Sequence, residues 1–182
     1  MEVNIDGRFI EFKTFPWGPD LIEVLDLKKI KIELFYITKE EIESIKFHDF
    51  EKHIEIDIKD GYIIKIKSNL LNCIKYINIE KKYFDTIYNE IHKMDFENIV
   101  VNSLTGCDGG QFEIKIGLNN GLNSFSKKIG LWCPPSTKDE VSVMEINKLL
   151  KIYDAIKEKI NYKAWYKNIL LKEKEIYKKY EE

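Results

Sequence analysis

The sequence lacks a run of eighteen apolar residues, and no basic stretch followed by an apolar segment opens it. It therefore predicts neither a membrane-spanning helix nor a secretory leader. Its three cysteines are far apart and include no Cys-x-x-Cys pair, which argues against a disulfide framework and against a zinc knuckle. We expect a cytoplasmic protein whose reduced thiols pack as small apolar side chains.

Arginine is nearly absent, since Arg8 is the only one among 29 basic residues. The guanidinium group is the preferred fork for bidentate recognition of guanine and phosphate. A chain with one arginine is therefore not expected to read a nucleic-acid sequence. Lysine, isoleucine and asparagine are abundant instead, a composition typical of an AT-rich bacterial genome.

Pro-, Gly- or Ser-rich linkers are also missing, so residues 1–182 are expected to form a single α+β domain. The charge is uneven along the chain: residues 1–60 carry 15 acidic and 9 basic side chains, whereas residues 61–182 carry 16 and 20. The first third is expected to offer an acidic surface to a basic partner. An ordinary solvated surface explains the same pattern.

Hydrophobic periodicity predicts an antiparallel β-sheet covered by helices, with a pair of long helices at the C-terminus. Period-two alternation predicts strands that begin at Ile30, at Ile74 and at Phe112, and a further strand from Lys127 to Cys133. Helical spacing predicts helices over 81–94, from a cap at Ser136 or Thr137, and over 162–182, whose last turns are expected to project into solvent. Residues 3–13 are expected to form a first hairpin or an irregular edge.

The segment from Ile54 to Lys67 predicts a β-hairpin, because a three-residue Lys59-Asp60-Gly61 loop puts the isoleucines of both arms on one side. Gly61 would then be left-handed, and the outer face would carry Glu55, Asp57 and Lys65. Just before it, Thr38 and Glu41 have capping-box spacing, which predicts a short helix through about Lys46 with Ile42 and Ile45 on its apolar side.

Two groups of residues could support catalysis. His48, Asp49 and His53 are close in sequence and could bind a metal ion or move protons, although their spacing matches no helical metal motif. Cys107 lies in a Gly-rich turn and could act as a nucleophile with His92 as its base. Neither pattern is specific, so we predict no catalytic residue and no cofactor, and keep a small hydrolase or nuclease as the alternative.

The residues expected to bind a partner are acidic side chains from the first third and two tryptophans near turns. The simpler interpretation is solvation for the carboxylates and core packing for Trp132. The candidates are Glu40, Glu41, Glu43, Asp49, Glu51, Glu55, Asp57, Trp17 and Trp132.

Asp108-Gly109, a strand, Trp132-Cys133-Pro134 and a long amphipathic helix resemble a pattern in small uncharacterised bacterial α+β proteins, some of which are similar to immunity proteins of polymorphic or contact-dependent toxins. The likeness covers about residues 105 to 160 and implies binding and inhibition rather than turnover. We therefore predict a toxin-neutralising immunity protein whose partner is a basic toxin domain. A structural or regulatory module that self-associates through its C-terminal helices is a further alternative, and the oligomeric state is left open.

Overall fold

The computed structural model describes residues 6–15, 30–48, 54–55, 57–68, 73–100, 110–119, 124–133 and 139–181. These residues confirm the predicted α+β fold. Within them lie seven strands, four α-helices and a 3₁₀ turn at Phe96–Asn98: β1 (Arg8–Phe15), β2 (Ile30–Ile37), α1 (Lys39–His48), β3 (Ile54–Glu55), β4 (Gly61–Ser68), β5 (Ile74–Asn78), α2 (Lys81–His92), β6 (Gly110–Leu118), β7 (Phe125–Cys133), α3 (Glu140–Lys159) and α4 (Tyr162–Glu181).

The strands form one sheet in the order β3-β5-β4-β2-β1-β6-β7. Neighbouring strands are antiparallel except for the two-residue β3, which pairs with β5 in parallel. The prediction of a first hairpin or irregular edge was wrong, because β1 is an interior strand bonded to β2 on one side and β6 on the other.

The predicted hairpin between Ile54 and Lys67 is also wrong. β5 separates β3 from β4, and Ile54 lies opposite Ile74 rather than opposite the β4 arm. Alternating isoleucines can pair with more than one strand. β4 buries Ile63 on one face and Ile64 on the other, so both of its faces must be covered. Gly61 does adopt a positive φ of 141°, but it begins β4 opposite Ile37.

The two faces of the sheet are covered differently. One face packs its alternate residues, such as Phe12, Ile32 and Ile114, against α2, α3 and α4, and we call it the helix-covered face. The opposite face, here the second face, packs against α1 over β2, β4 and β5, where Ile42 joins Ile63 in a smaller cluster. In the described part of the chain, three helices therefore pack on one face of the sheet and one helix on the other.

The C-terminal pair of helices is confirmed, but its details differ from the prediction. Asp139, not Ser136 or Thr137, is the N-cap of α3, since its carboxylate accepts from the Ser142 N–H at 2.8 Å. The buried apolar stripe of α3 comprises Ile146, Leu149, Ile152 and Ile156, while Val143 is exposed. No helix within the described ranges is long and apolar enough to span a membrane.

Candidate interaction surfaces

α1 begins in the capping box that the sequence predicts. The Thr38 N–H donates to Glu41 Oε2 at 2.8 Å, and the Glu41 N–H donates to Thr38 Oγ1 at 3.3 Å. These two backbone donors at the start of α1 are therefore paired. Ile42 is buried and Ile45 partly buried against the second face of the sheet. These contacts fix which side of α1 points outward.

The outward side of α1 carries two carboxylates and an aromatic ring in one stripe. Glu40, Glu43 and Phe47 are three and four residues apart, so they are neighbours along one helix face. All three are exposed, and Phe47 is 82% exposed, the highest fraction among the exposed large apolar side chains of the described residues. We call these three residues the α1 stripe. Glu41 is exposed too, but its carboxylate is engaged at the cap.

Of the remaining predicted partner-binding residues, the structure describes Asp57 and the backbone of Glu55 and Trp132. Asp57 is exposed in the loop before β4. Glu55 lies in β3 opposite Lys75, not opposite Lys65 as the hairpin required, and the side chains of Glu55, His48 and Trp132 are not among those described. Outside the described residues lie Trp17, Asp49, Glu51, His53 and Cys107.

A chain of ion pairs, which we call the charge ladder, crosses five strands of the second face. Its shortest contacts are Lys128 Nζ to Glu113 Oε2 at 2.6 Å, Lys31 Nζ to Glu33 Oε1 at 2.6 Å and Lys31 Nζ to Glu11 Oε2 at 2.7 Å. Each glutamate contacts two lysines. From β4 to β7 the members are Lys65, Glu33, Lys31, Glu11, Lys13, Glu113 and Lys128.

The middle of the ladder is partly shielded from solvent. The side chains of Glu113 and Glu11 are only 10% and 13% exposed. Burial acts to raise the pKa of Glu11, but hydrogen bonds from Lys13 and Lys31 outweigh it, and the pKa lies below its usual value. Glu11 is therefore held as an anion between two lysines, and lysines outnumber glutamates in the ladder.

The strand register places like charges side by side on the same face. Glu11 lies directly opposite Glu33, Lys13 opposite Lys31, and Lys115 opposite Lys128. Lys115 is not a ladder member, and its Nζ lies 5.5 Å from the Phe9 ring centroid. Like charges in directly opposed positions destabilise a sheet, so the alternating contacts of the ladder relieve a repulsion that the register itself creates.

The only arginine holds together the opposite, helix-covered side. Arg8 Nε donates to both Asp6 carboxylate oxygens at 2.9 Å, and Nη2 donates to Asp85 Oδ1 at 2.8 Å. Its Cζ lies 5.2 Å and 5.1 Å from the ring centroids of Phe84 and Tyr88. Arg8 thus joins the start of β1 to α2, and its guanidinium is engaged by Asp6 and Asp85.

The cluster around Arg8 shifts the pKa values of Asp6 and Tyr62. Partial burial acts to raise the pKa of Asp6, but the hydrogen bonds from Arg8 and Tyr62 are stronger in sum and lower it to about 2. Burial and the Asp6 carboxylate together raise the pKa of Tyr62 above its ordinary value. Asp6 is therefore a fixed anion at neutral pH, paired for stability rather than exposed for proton transfer.

Chemistry-bearing residues do not converge within the described part of the chain. No group of three or more His, Cys, Asp or Glu residues there is placed to hold a metal ion. One cavity of about 310 Å³ is lined by Cys73, Trp165 and Lys172 among others, and another of about 520 Å³ by Lys93, Met94 and Lys151 among others. Burial raises the pKa of Cys73, which opposes thiolate formation.

Comparisons with known proteins do not add a relative, since no protein-family model, curated protein or solved structure matches the chain. The resemblance to toxin immunity proteins therefore stays a prediction.

Sequence reasoning missed Phe47 and the charge ladder. Phe47 has a signal in the sequence, because it lies four residues after Glu43 and away from the Ile42 and Ile45 side of the same helix. The ladder has a weaker one, an opposite charge two residues away within a strand, as in Glu11 and Lys13. Which strands are adjacent, and so which charges meet, cannot be taken from such pairs alone.

Proposed function

We propose that the protein is a toxin-neutralising immunity protein that binds a basic toxin domain through the α1 stripe. The observation that carries the proposal is the exposure of Glu40, Glu43 and Phe47 in a single stripe on a helix whose other side is anchored to the sheet. A rigid helix that presents an aromatic side chain beside charged groups has the composition of an interface hot spot.

Three further features support binding rather than turnover. The acidic first third of the chain complements a basic partner, and such complementarity speeds association and selects the partner. The resemblance of residues 105 to 160 implies inhibition of a toxin. The described cavities do not bring a nucleophile and a histidine base together.

The test is co-expression with the product of the adjacent upstream gene, measured as survival of the host cell and as capture of a complex. We expect the unaltered protein to protect and to bind. The double variant Glu40→Lys/Glu43→Lys should bind at least about tenfold more weakly, since two repulsive contacts replace two attractive ones.

The matched control is Glu90→Lys/Glu158→Lys, which makes the same change in net charge at exposed positions of α2 and α3. It should bind and protect as the unaltered protein does. The proposal fails if no complex forms and the cell is not protected, or if the control weakens binding as much as the α1 variant.

A second candidate, self-association through α4, is favoured by one observation. Tyr162, Tyr166 and Ile169 are buried, while Ile176 and Tyr177 continue the same side of the helix and are 38% and 65% exposed. Pairing of two α4 ends would cover these side chains. Sedimentation should then show a concentration-dependent dimer that Ile176→Lys/Tyr177→Lys abolishes, and a monomer at high concentration would remove this candidate.

A further inference from the structure

The second face of the sheet carries α1 and the charge ladder next to each other. α1 packs over β2, β4 and β5, and the ladder continues from β4 and β2 through β1 to β6 and β7. Among the described residues α2, α3 and α4 pack on the other face, so none of them lies over the β1, β6 and β7 part. A partner that binds α1 and extends along the sheet meets the ladder.

These adjacent surfaces carry opposite charge. The α1 stripe contributes Glu40 and Glu43, whereas the described strands of the second face contribute more lysines than glutamates. The three glutamates are each held between two ladder lysines. The lysines are Lys13, Lys31, Lys65, Lys67, Lys115 and Lys128, and the glutamates are Glu11, Glu33 and Glu113.

In the part of the second face that no described helix covers, two lysines lie next to each other at the β6 and β7 end. Lys115 and Lys128 face each other across these two strands, and the Lys128 side chain is 56% exposed. The repulsion between them is relieved on one side only, where Lys128 contacts Glu113 at 2.6 Å. A carboxylate placed above the pair would relieve the rest.

We infer that this end of the second face binds an acidic segment of the same protein partner whose basic region binds the α1 stripe. The identity of that partner rests on the proposed function. The ligand is a peptide segment whose carboxylates contact Lys115 and Lys128. A phosphate backbone fits less well, because glutamates interrupt the row of lysines and because Arg8, the best phosphate fork, is committed to Asp6 and Asp85.

The sign of one mutational effect separates this two-part interface from a purely acidic one. If the partner met only the acidic stripe, removing lysine charge would strengthen the binding of a basic toxin by reducing repulsion. If an acidic segment of the partner contacts Lys115 and Lys128, removing their charge weakens the same complex.

Binding of simple charged probes tests the two areas separately. Fluorescent oligoglutamate, oligolysine and oligothymidylate of about ten units are titrated with the full chain at about 20 mM salt, where surface charges are little screened, and anisotropy is recorded. Lys115→Gln/Lys128→Gln should weaken oligoglutamate binding about fivefold or more without weakening oligolysine binding. Glu40→Gln/Glu43→Gln should do the converse, and Lys163→Gln/Lys167→Gln on α4 serves as the matched control.

The outcomes distinguish the two proposals. Oligoglutamate binding that is absent, or is unchanged in the Lys115 and Lys128 variant, overturns this inference while leaving the α1 stripe intact. If the unaltered protein does not bind oligolysine, that result counts against the proposed function instead. If oligothymidylate binds more tightly than oligoglutamate through the same lysines, the ligand is a nucleic acid rather than an acidic peptide, and this inference is overturned as well.

Folding is checked for each variant by thermal unfolding, because Lys128 belongs to the ladder. Lys115→Gln alone leaves every ladder contact in place and is the second variant if the double one is unstable. It should weaken oligoglutamate binding about twofold to fivefold. With a toxin in hand, a Lys115→Gln variant that binds the toxin more tightly than the unaltered protein would refute the two-part interface.

Discussion

Replacing Arg8 by methionine should remove a large part of the stability that α2 gives to the sheet. The guanidinium makes hydrogen bonds of 2.8–2.9 Å to Asp6 and Asp85 and stacks on Phe84 and Tyr88. A hydrogen bond to a charged group contributes about 1.5–3 kcal/mol, and a cation–π contact about 0.5–1 kcal/mol. Lys81 still pairs with Asp85 at 2.6 Å after the change, so we expect a loss of about 2–3 kcal/mol rather than the full sum.

The pH dependence of this loss has a definite sign. The pKa of Asp6 is about 2 in the folded protein against 3.8 for an unperturbed aspartate, so the unfolded chain binds the proton more readily. The contribution of Asp6 is complete above about pH 4 and is lost as the pH falls through about 2. The stability difference between the unaltered protein and Arg8→Met should therefore be smaller at about pH 2.5 than at about pH 7.

Urea unfolding followed by circular dichroism at both pH values measures these differences. Lys81→Met is the control, because its 62% exposed side chain forms an i,i+4 pair that should contribute less than about 0.5 kcal/mol. A loss below about 1 kcal/mol for Arg8→Met at neutral pH, or a loss that is the same at both pH values, would show that the Arg8 contacts do not stabilise the fold as argued.

Three other substitutions test separate parts of the structure, each by urea unfolding. Thr38→Ala removes the capping box of α1 and should cost about 1 kcal/mol, while Thr38→Ser should cost less than half of that. Gly117→Ala would place a Cβ 2.3 Å from the Phe125 carbonyl oxygen and 2.9 Å from Phe9 Cζ, so a loss of about 2–4 kcal/mol is expected, and a neutral result would contradict the close approach of β6 and β7. Lys127→Met leaves the His92 and Met94 carbonyls at the end of α2 without their ammonium donor and should destabilise by about 1–2 kcal/mol; an unchanged midpoint would refute that contact.

Local signals predicted much of the fold because their causes are local. The capping box at Thr38 requires only residues within one turn, and the helix of α2 follows from apolar side chains at helical spacing such as Phe84 and Ile91. The partner of a strand has no such local cause. The isoleucines of β4 alternate correctly for a hairpin with the preceding segment, yet they pair with β2 and β5.

The candidate surfaces, too, could be predicted from the sequence only in part. The sequence places Glu40 and Glu43 on the polar side of a helix, because helical geometry alone sets their spacing. It does not predict that α1 packs over the β2, β4 and β5 part of the second face, or that Glu11, Glu33 and Glu113 each contact two lysines.

The sequence by itself thus determined the fold class, the helices and several of the strands, since these depend on side-chain periods of two and 3.6 residues along the chain. The tertiary structure alone decided that β1 lies inside the sheet, that β5 separates β3 from β4, and that charges from five strands form one ladder beside the α1 stripe. Strand neighbours are chosen by the burial of both sheet faces at once, and that choice joins residues more than a hundred positions apart.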